Sequence, residues 1–343
     1  MRTHIRIPSR GMTLVELLVV VSIVGLLAVA VAPLLQNRTS NRKLAAASDQ
    51  VAAHCSMAVA QSIGSPNGIG IWLEPETTGA GSDFAVVSLG LSRARPTTTG
   101  FATITSINPA SPSSPGWASL NITSPSPFPL PLAPLIDRNS TVITFQGLPA
   151  RYRLASTAII ELLPNCSEEN AAFPALNVSL PFSIDLPPRR KFSASTPSLG
   201  GDACVDFSAS TIGVNGFTPA ASVINLAGVR ILCVLFDGIG RPTTAWLASD
   251  RVATTSTSWR RVALGPSTPV ALLVGKRSQI GEPVAMPPTA DSPGPNIQSP
   301  DSVWVVIDPR TSVVRTVGNI GATNVVAAQA PVAEALSNRI TAF

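Results

Sequence analysis

Residues 11–35 read GMTLVELLVVVSIVGLLAVAVAPLL, an apolar run whose polar members are Thr13, Glu16 and Ser22. As a helix at about 1.5 Å per residue, Met12 to Leu35 covers roughly 35 Å, enough to cross the hydrocarbon core of a bilayer once. The segment before it, MRTHIRIPSRG, is short, basic and polar. A secretory signal places its small-residue cleavage site after the apolar run; here the only plausible junction, Arg10-Gly11-Met12, precedes it, so the helix is expected to stay in the mature chain. The flanking charges, Arg2, Arg6 and Arg10 against Arg38, Arg42 and Lys43, leave the orientation undecided.

Working outward, Leu44, Ala47, Val51, Cys55, Ala58 and Ser62 recur every three to four residues among polar ones, which predicts that the helix continues amphipathically over residues 36–64. Gly64-Ser65-Pro66-Asn67-Gly68 supplies helix-stop and turn residues, and Ile69–Leu73 begins an extended segment. With 32 prolines and 24 glycines, residues 65–343 are expected to be β-rich. Strands are predicted at Phe84–Leu89, Thr141–Phe145, Ala158–Leu163, Val229–Phe236, Thr243–Leu247, Val262–Leu264, Val270–Val274, Val303–Ile307 and Val313–Val317. The last two flank Asp308-Pro309-Arg310-Thr311, a β-turn sequence, and Val303, Val305 and Ile307 are expected on one sheet face. Proline- and serine-rich composition over residues 92–134 reads as an extended loop or insertion, and Gly281–Pro300 as a second irregular stretch; neither reads as an independent domain. The fold class is α+β, a long N-terminal helix followed by a β-rich domain.

The 24 basic residues against 19 acidic ones become 21 against 19 once Arg2, Arg6 and Arg10 are set aside with the leader. A near-neutral body argues against nucleic acid, which calls for clustered surplus cations; Arg189-Arg190-Lys191, Arg260-Arg261 and Lys276-Arg277 are scattered. Only His4 and His54 are present, and His4 would be lost with the leader, which leaves no histidine pair for a metal and few choices of base for a nucleophile; no enzyme and no cofactor is expected, and His54 reads as a packed or solvent-edge side chain. Val274-Gly275-Lys276-Arg277-Ser278 lacks the spacing of a phosphate loop. The four cysteines show no C-x-x-C pattern; in an oxidising compartment they pair in three ways, with Cys166–Cys204 the preferred pair and Cys55 and Cys233 read as core thiols.

Glu16 calls for a reason, because a carboxylate within an apolar helix costs about 2.5–3.5 kcal/mol unless it lies near an end or is compensated. Gly11-Met12-Thr13-Leu14-Val15-Glu16 with Leu17-Leu18-Val19-Val20 resembles the signal of type IV pilins and pseudopilins. That resemblance implies cleavage after Gly11 by a prepilin peptidase and methylation of Met12, where phenylalanine is more usual. It also implies an assembly role for Glu16, compensated by a neighbouring subunit's terminal amine, and places the pilin helix proline at Pro33, as a kink or as a mere bend. The alanine-rich helix leading into Ile69–Leu73, with VLFDGIGRPTT and VWVVIDPRTSVVRTV, is further similar to the GspH/FimT subgroup. The implied partners are the prepilin peptidase, other pilin or pseudopilin subunits and inner-membrane lipid. The implied place is the inner membrane, single-pass, with the N terminus cytoplasmic and the β domain periplasmic or on a filament. The alternative is a minor pilin that binds DNA or a surface. Some pseudopilins hold calcium; Asp202 with Asp206, or Glu168 with Glu169, lack the spacing of a dedicated loop and read as solvated turn carboxylates.

Overall fold

The computed structural model describes residues 14–65, 68–76, 84–95, 97–108, 117–124, 141–148, 151–156, 159–162, 173–191, 197–219, 222–248, 259–281, 294–322 and 324–337. Helix α1 (Leu14–Ser62) is assigned continuously, through Pro33. It ends where the sequence predicts, at Gly64, which takes a left-handed φ of 77° and donates its N–H to the Gly238 carbonyl at 2.9 Å.

The chain then forms β1 (Ile69–Glu74), β2 (Ala85–Val86), β3 (Ser88–Arg93), β4 (Thr98–Asn108), β5 (Trp117–Ser124), β6 (Val142–Phe145), β7 (Arg151–Ser156), β8 (Ile159–Leu162) and β9 (Ser179–Asp185). There follow β10 (Arg189–Lys191), β11 (Ala203–Ile212), β12 (Ile224–Asn225), β13 (Ile231–Phe236), β14 (Pro242–Ala248), β15 (Trp259–Ala263), β16 (Val270–Lys276), β17 (Val303–Ile307) and β18 (Val314–Gly318). Two short helices, α2 (Val325–Ala328) and α3 (Ala330–Ser337), end the described chain. The strands make three antiparallel sheets: β10-β3-β1-β13-β14-β15, then β12-β11-β16-β17-β18 with β2 beside β11, and a closed barrel β4-β5-β8-β7-β6-β9.

The first two sheets share one core with α1. Ile71, Leu89 and Val234 from one sheet and Phe207, Leu272 and Val305 from the other meet Leu44, Ala47, Val51, Cys55 and Ala58 of the helix. All six positions of the predicted amphipathic stripe are buried, Ser62 included. Strand alternation sends the intervening residues to the far faces. Trp72, Cys233 and Trp246 cluster on the outside of the first sheet, while Leu273, Trp304 and Val306 of the second pack on Val332 and Leu336 of α3. The β17–β18 hairpin therefore has two apolar faces: Val305 and Ile307 turn toward the helix, whereas Val303 is only half-buried. Its turn forms as predicted, with the Asp308 carboxylate accepting the Arg310 N–H and the Thr311 hydroxyl, each at 2.9 Å.

Three sequence expectations require correction. Residues 92–134, which the composition gives as an extended loop or insertion, are not a plain loop: they contain two strands, β4 and β5, and strands between residues 98 and 185 close into a barrel around a core of their own that includes Ile104, Ile143, Tyr152 and Phe182. Threonine and serine at outward positions of β4 alternate with Ala102 and Ile104 inside, so a strand hides in a polar composition. Second, β11 was not predicted at all, although it is central to its sheet. A register shift between Asp206 and Thr211 interrupts its pairing with β16 and buries polar side chains that break the apolar pattern. Third, Cys204 lies on β11, fully buried and with a free thiol, rather than in a polar loop; Cys166 lies outside the described residues.

The buried polar residues of that bulge satisfy one another. Asp206 accepts from the Ser208 N–H at 2.9 Å, from the Ser208 hydroxyl, and from the Asn296 amide at 2.8 Å. Asn296 in turn accepts the Lys276 N–H at 2.6 Å and donates to the Lys276 carbonyl at 2.9 Å. A Cβ on Gly275 would lie 2.2 Å from the Asn296 side chain, so only glycine fits there. Burial pushes the Asp206 carboxyl above its usual range, against the pull of the Ser208 and Asn296 hydrogen bonds.

Leu44→Ala is expected to destabilise the chain by about 2–5 kcal/mol through the cavity it leaves between helix and sheets, whereas a change at exposed Ala45, such as Ala45→Ser, should stay within about 0.5 kcal/mol. Denaturant melts of the detergent-solubilised chain check the contrast; equal effects contradict the docking of this helix face.

Candidate functional site: the N-terminal helix

The two halves of α1 stand in opposite environments. From Leu14 to Leu27 every large apolar side chain is exposed, from 46% at Val20 to 79% at Leu14, on all sides of the helix. Beyond residue 41 the same helix buries one stripe in the β core. An all-round apolar helix is stable only in an apolar surrounding, which nothing else in the described chain supplies to this half. The serine within the run is satisfied locally: Ser22 donates its hydroxyl to the Leu18 carbonyl at 2.8 Å. Glu16 stands in the first turn of α1, where the helix dipole favours a carboxylate.

Gly11 and Met12 lie outside the described residues, as does the side chain of Pro33. Among the described residues no helix is long and apolar enough to cross a membrane; the side chains described in the apolar run stop at Leu27, short of the expected span at 12–35.

Residues 7–32 match the family model for the prokaryotic N-terminal methylation motif. The chain carries a type IV pilin-like prepilin signal. The match covers the junction Gly11-Met12, Glu16 and most of the apolar run, and supports a type IV pilin-like protein processed by prepilin peptidase. No curated protein and no solved structure matches the chain.

The other candidates of the sequence are dispersed. Asp206 is a fully buried carboxylate within β11 and not a solvated turn residue, while Asp202 accepts the Ser278 hydroxyl. Glu168 and Glu169 lie outside the described residues. Among the described residues no three His, Cys, Asp or Glu side chains gather as metal ligands. Cys55 and Cys233 are buried free thiols, each pushed up to about 12 by burial, and neither is poised as a nucleophile. One member of each basic group is held by a carboxylate: Arg190 by Glu74 at 3.4 Å, Arg261 by Asp185 at 2.7 Å and Arg277 by Glu76 at 2.7 Å.

Sequence reading missed one grouping of cations. The β3–β10 pairing sets Arg93 opposite Arg189, with Lys191 on the same strand, and the positive charge of Arg189 acts with burial to lower the pKa of Arg95. No carboxylate pairs with any of these four among the described residues. Roughly 95 residues separate Ser92-Arg93-Ala94-Arg95 from Arg189-Arg190-Lys191 in the chain, and only the register joins them.

His54 is packed, between α1 and β3, with its Nε2–H donating to the Gly90 carbonyl at 3.0 Å and Nδ1 buried without a partner. Burial lowers its pKa from 6.5, opposed by the Gly90 bond. The unfolded chain therefore binds the proton first, so stability is full above pH 6.5 and falls as the pH drops below that value toward the folded pKa. His54→Gln is expected to flatten the loss of Tm between pH 7 and pH 5 relative to the parent chain; identical slopes contradict a buried neutral imidazole.

Proposed function

We propose that the chain is a structural subunit, a minor pilin or pseudopilin, of a type IV pilus or type II secretion pseudopilus. The observation that carries the reading is the methylation motif at residues 7–32 leading directly into a helix that is apolar on every side and then buries one stripe in a β domain. In this reading residues 1–11 are removed between Gly11 and Met12, the new terminal amine is methylated, and the helix over 12–35 first anchors in the inner membrane. The same helix then packs among those of other subunits, with the β domain held outside the membrane.

Glu16 fits this sequence of events. In the bilayer its carboxylate sits near the helix end, where water and the helix dipole limit the cost. In a filament the terminal amine of a neighbouring subunit compensates it, so burial becomes cheap only when subunits stand in register. The passage of α1 through a Gly64 turn into β1, at the middle of the first sheet, supports placement in the GspH/FimT subgroup. The work is mechanical and needs no cofactor.

Mass spectrometry of the mature N terminus, in cells with and without the prepilin peptidase, tests the processing step. A methylated Met12 that depends on the peptidase is expected; an intact leader, or cleavage after Leu35, refutes it. Glu16→Ala is expected to leave membrane insertion intact and to reduce incorporation into filaments, scored in sheared-filament fractions, and normal incorporation contradicts the pairing.

A further inference from the structure

The outer face of the barrel carries a second feature. The alternation that points Ala102, Phe182 and Ile184 inward points Thr99 and Phe101 of β4, Pro181 and Ser183 of β9 and Thr144 of β6 outward. Register arranges them in two rows: Thr99 stands beside Ser183, which stands beside Thr144, and Phe101 stands beside Pro181. With Gln146 they line a cleft of about 650 Å³, in the size range of small-ligand sites. Phe101 is 50% exposed there, a large aromatic beside a ladder of hydroxyls.

The cations that no carboxylate pairs with among the described residues stand where this barrel joins the first sheet, Arg93 and Arg189 at strand ends and Arg95 in a joining segment. β3 ends at Arg93 and β4 begins at Thr98; β9 ends at Asp185 and β10 begins at Arg189. Four residues of chain reach at most about 14 Å, so the Cα of Arg95 stands within that distance of Thr99. Asp185, the nearby carboxylate, is occupied by Arg261 at 2.7 Å and by the Thr97 hydroxyl at 3.3 Å. Arg95 Nε is buried without a hydrogen-bond partner, and Arg93 directly opposite Arg189 is a repulsive cross-strand pair that no carboxylate offsets by an ion pair among the described residues.

We propose that this face binds an acidic oligosaccharide, with a sugar ring on Phe101 and Pro181, ring hydroxyls on Thr99, Thr144 and Gln146, and a sugar carboxylate at Arg93, Arg95 and Arg189. A pyranose offers an apolar C–H face and a polar rim, the complement of one apolar row beside one hydroxyl row, and its carboxylate supplies the missing counter-charge. A nucleic acid would place charge at every step along its path, and both rows of the cleft are uncharged. The inference does not rest on processing by the peptidase, because the barrel lies apart from the N-terminal helix in the chain and can be assayed on the unassembled protein.

The test is binding of the full detergent-solubilised chain to a galacturonic acid hexamer, to maltohexaose and to a short DNA duplex over a range of salt. The galacturonate is expected to bind tightest and to weaken as salt rises. Phe101→Ala should weaken it by about tenfold or more and leave the salt dependence unchanged. Arg93→Ser with Arg189→Ser should reduce the salt dependence and bring the galacturonate toward the level of maltohexaose. The three substituted side chains are exposed, so circular dichroism of the variants should match the parent. No binding of galacturonate, tighter binding of the duplex, or indifference to Phe101→Ala overturns the proposal.

Discussion

A single helix with two incompatible surfaces sets the terms for the rest of the molecule. Leu44, Val51, Cys55 and Ala58 demand a concave apolar surface, and two sheets close around them to provide it. The residues from Leu14 to Leu27 make the same demand on all sides, and the described chain leaves it unanswered. Burial is worth about 25 cal/mol per Å², so a helix turn with every apolar side chain exposed is a standing drive toward lipid or other helices. Anchoring and assembly are two ways of meeting that demand, and the prepilin signal stands at the helix end where they would begin.

The β domain is organised around the other half of the helix. Each sheet has a helix-facing side and a far side, and the far sides need covers of their own: α3 lies over Trp304 and Val306, and the tryptophan cluster closes over Cys233. The Asp206–Asn296 network ties the segment before β17 to the end of β16, so that a proline-rich stretch is pinned at one buried amide. The barrel, by contrast, satisfies its strands by closure and its core by its own side chains, and it meets the sandwich through two short connections.

How much of this could be read in the sequence followed the strength of local patterning. The helix stripe, the stop at Gly64 and the Asp308 turn were legible because each rests on a local rule: a 3.6-residue period, a left-handed glycine, a side-chain acceptor. The strand β11 was illegible because Asp206 and Ser210 are buried polar residues whose partners, Asn296 and Leu273, come from distant parts of the chain. Of the barrel strands, β6 and β8 were legible as apolar runs, whereas β4 and β9 were hidden for a related reason: Thr99, Phe101 and Ser183 look like loop composition until closure gives their strands an inside. Of the functional features, the processing motif is contiguous and was visible; the Arg93–Arg189 pairing exists only through sheet register.

Spin labels placed one at a time at positions 17 to 24 and 42 to 62 of the full chain in bilayers would test the two-surface helix most directly. The account predicts that every label from 17 to 24 is accessible to oxygen and shielded from an aqueous relaxant, with no helical period. From 42 to 62 it predicts a 3.6-residue alternation between water-exposed and buried sites. Aqueous accessibility at 17 to 24, or the absence of a period beyond 42, would contradict it.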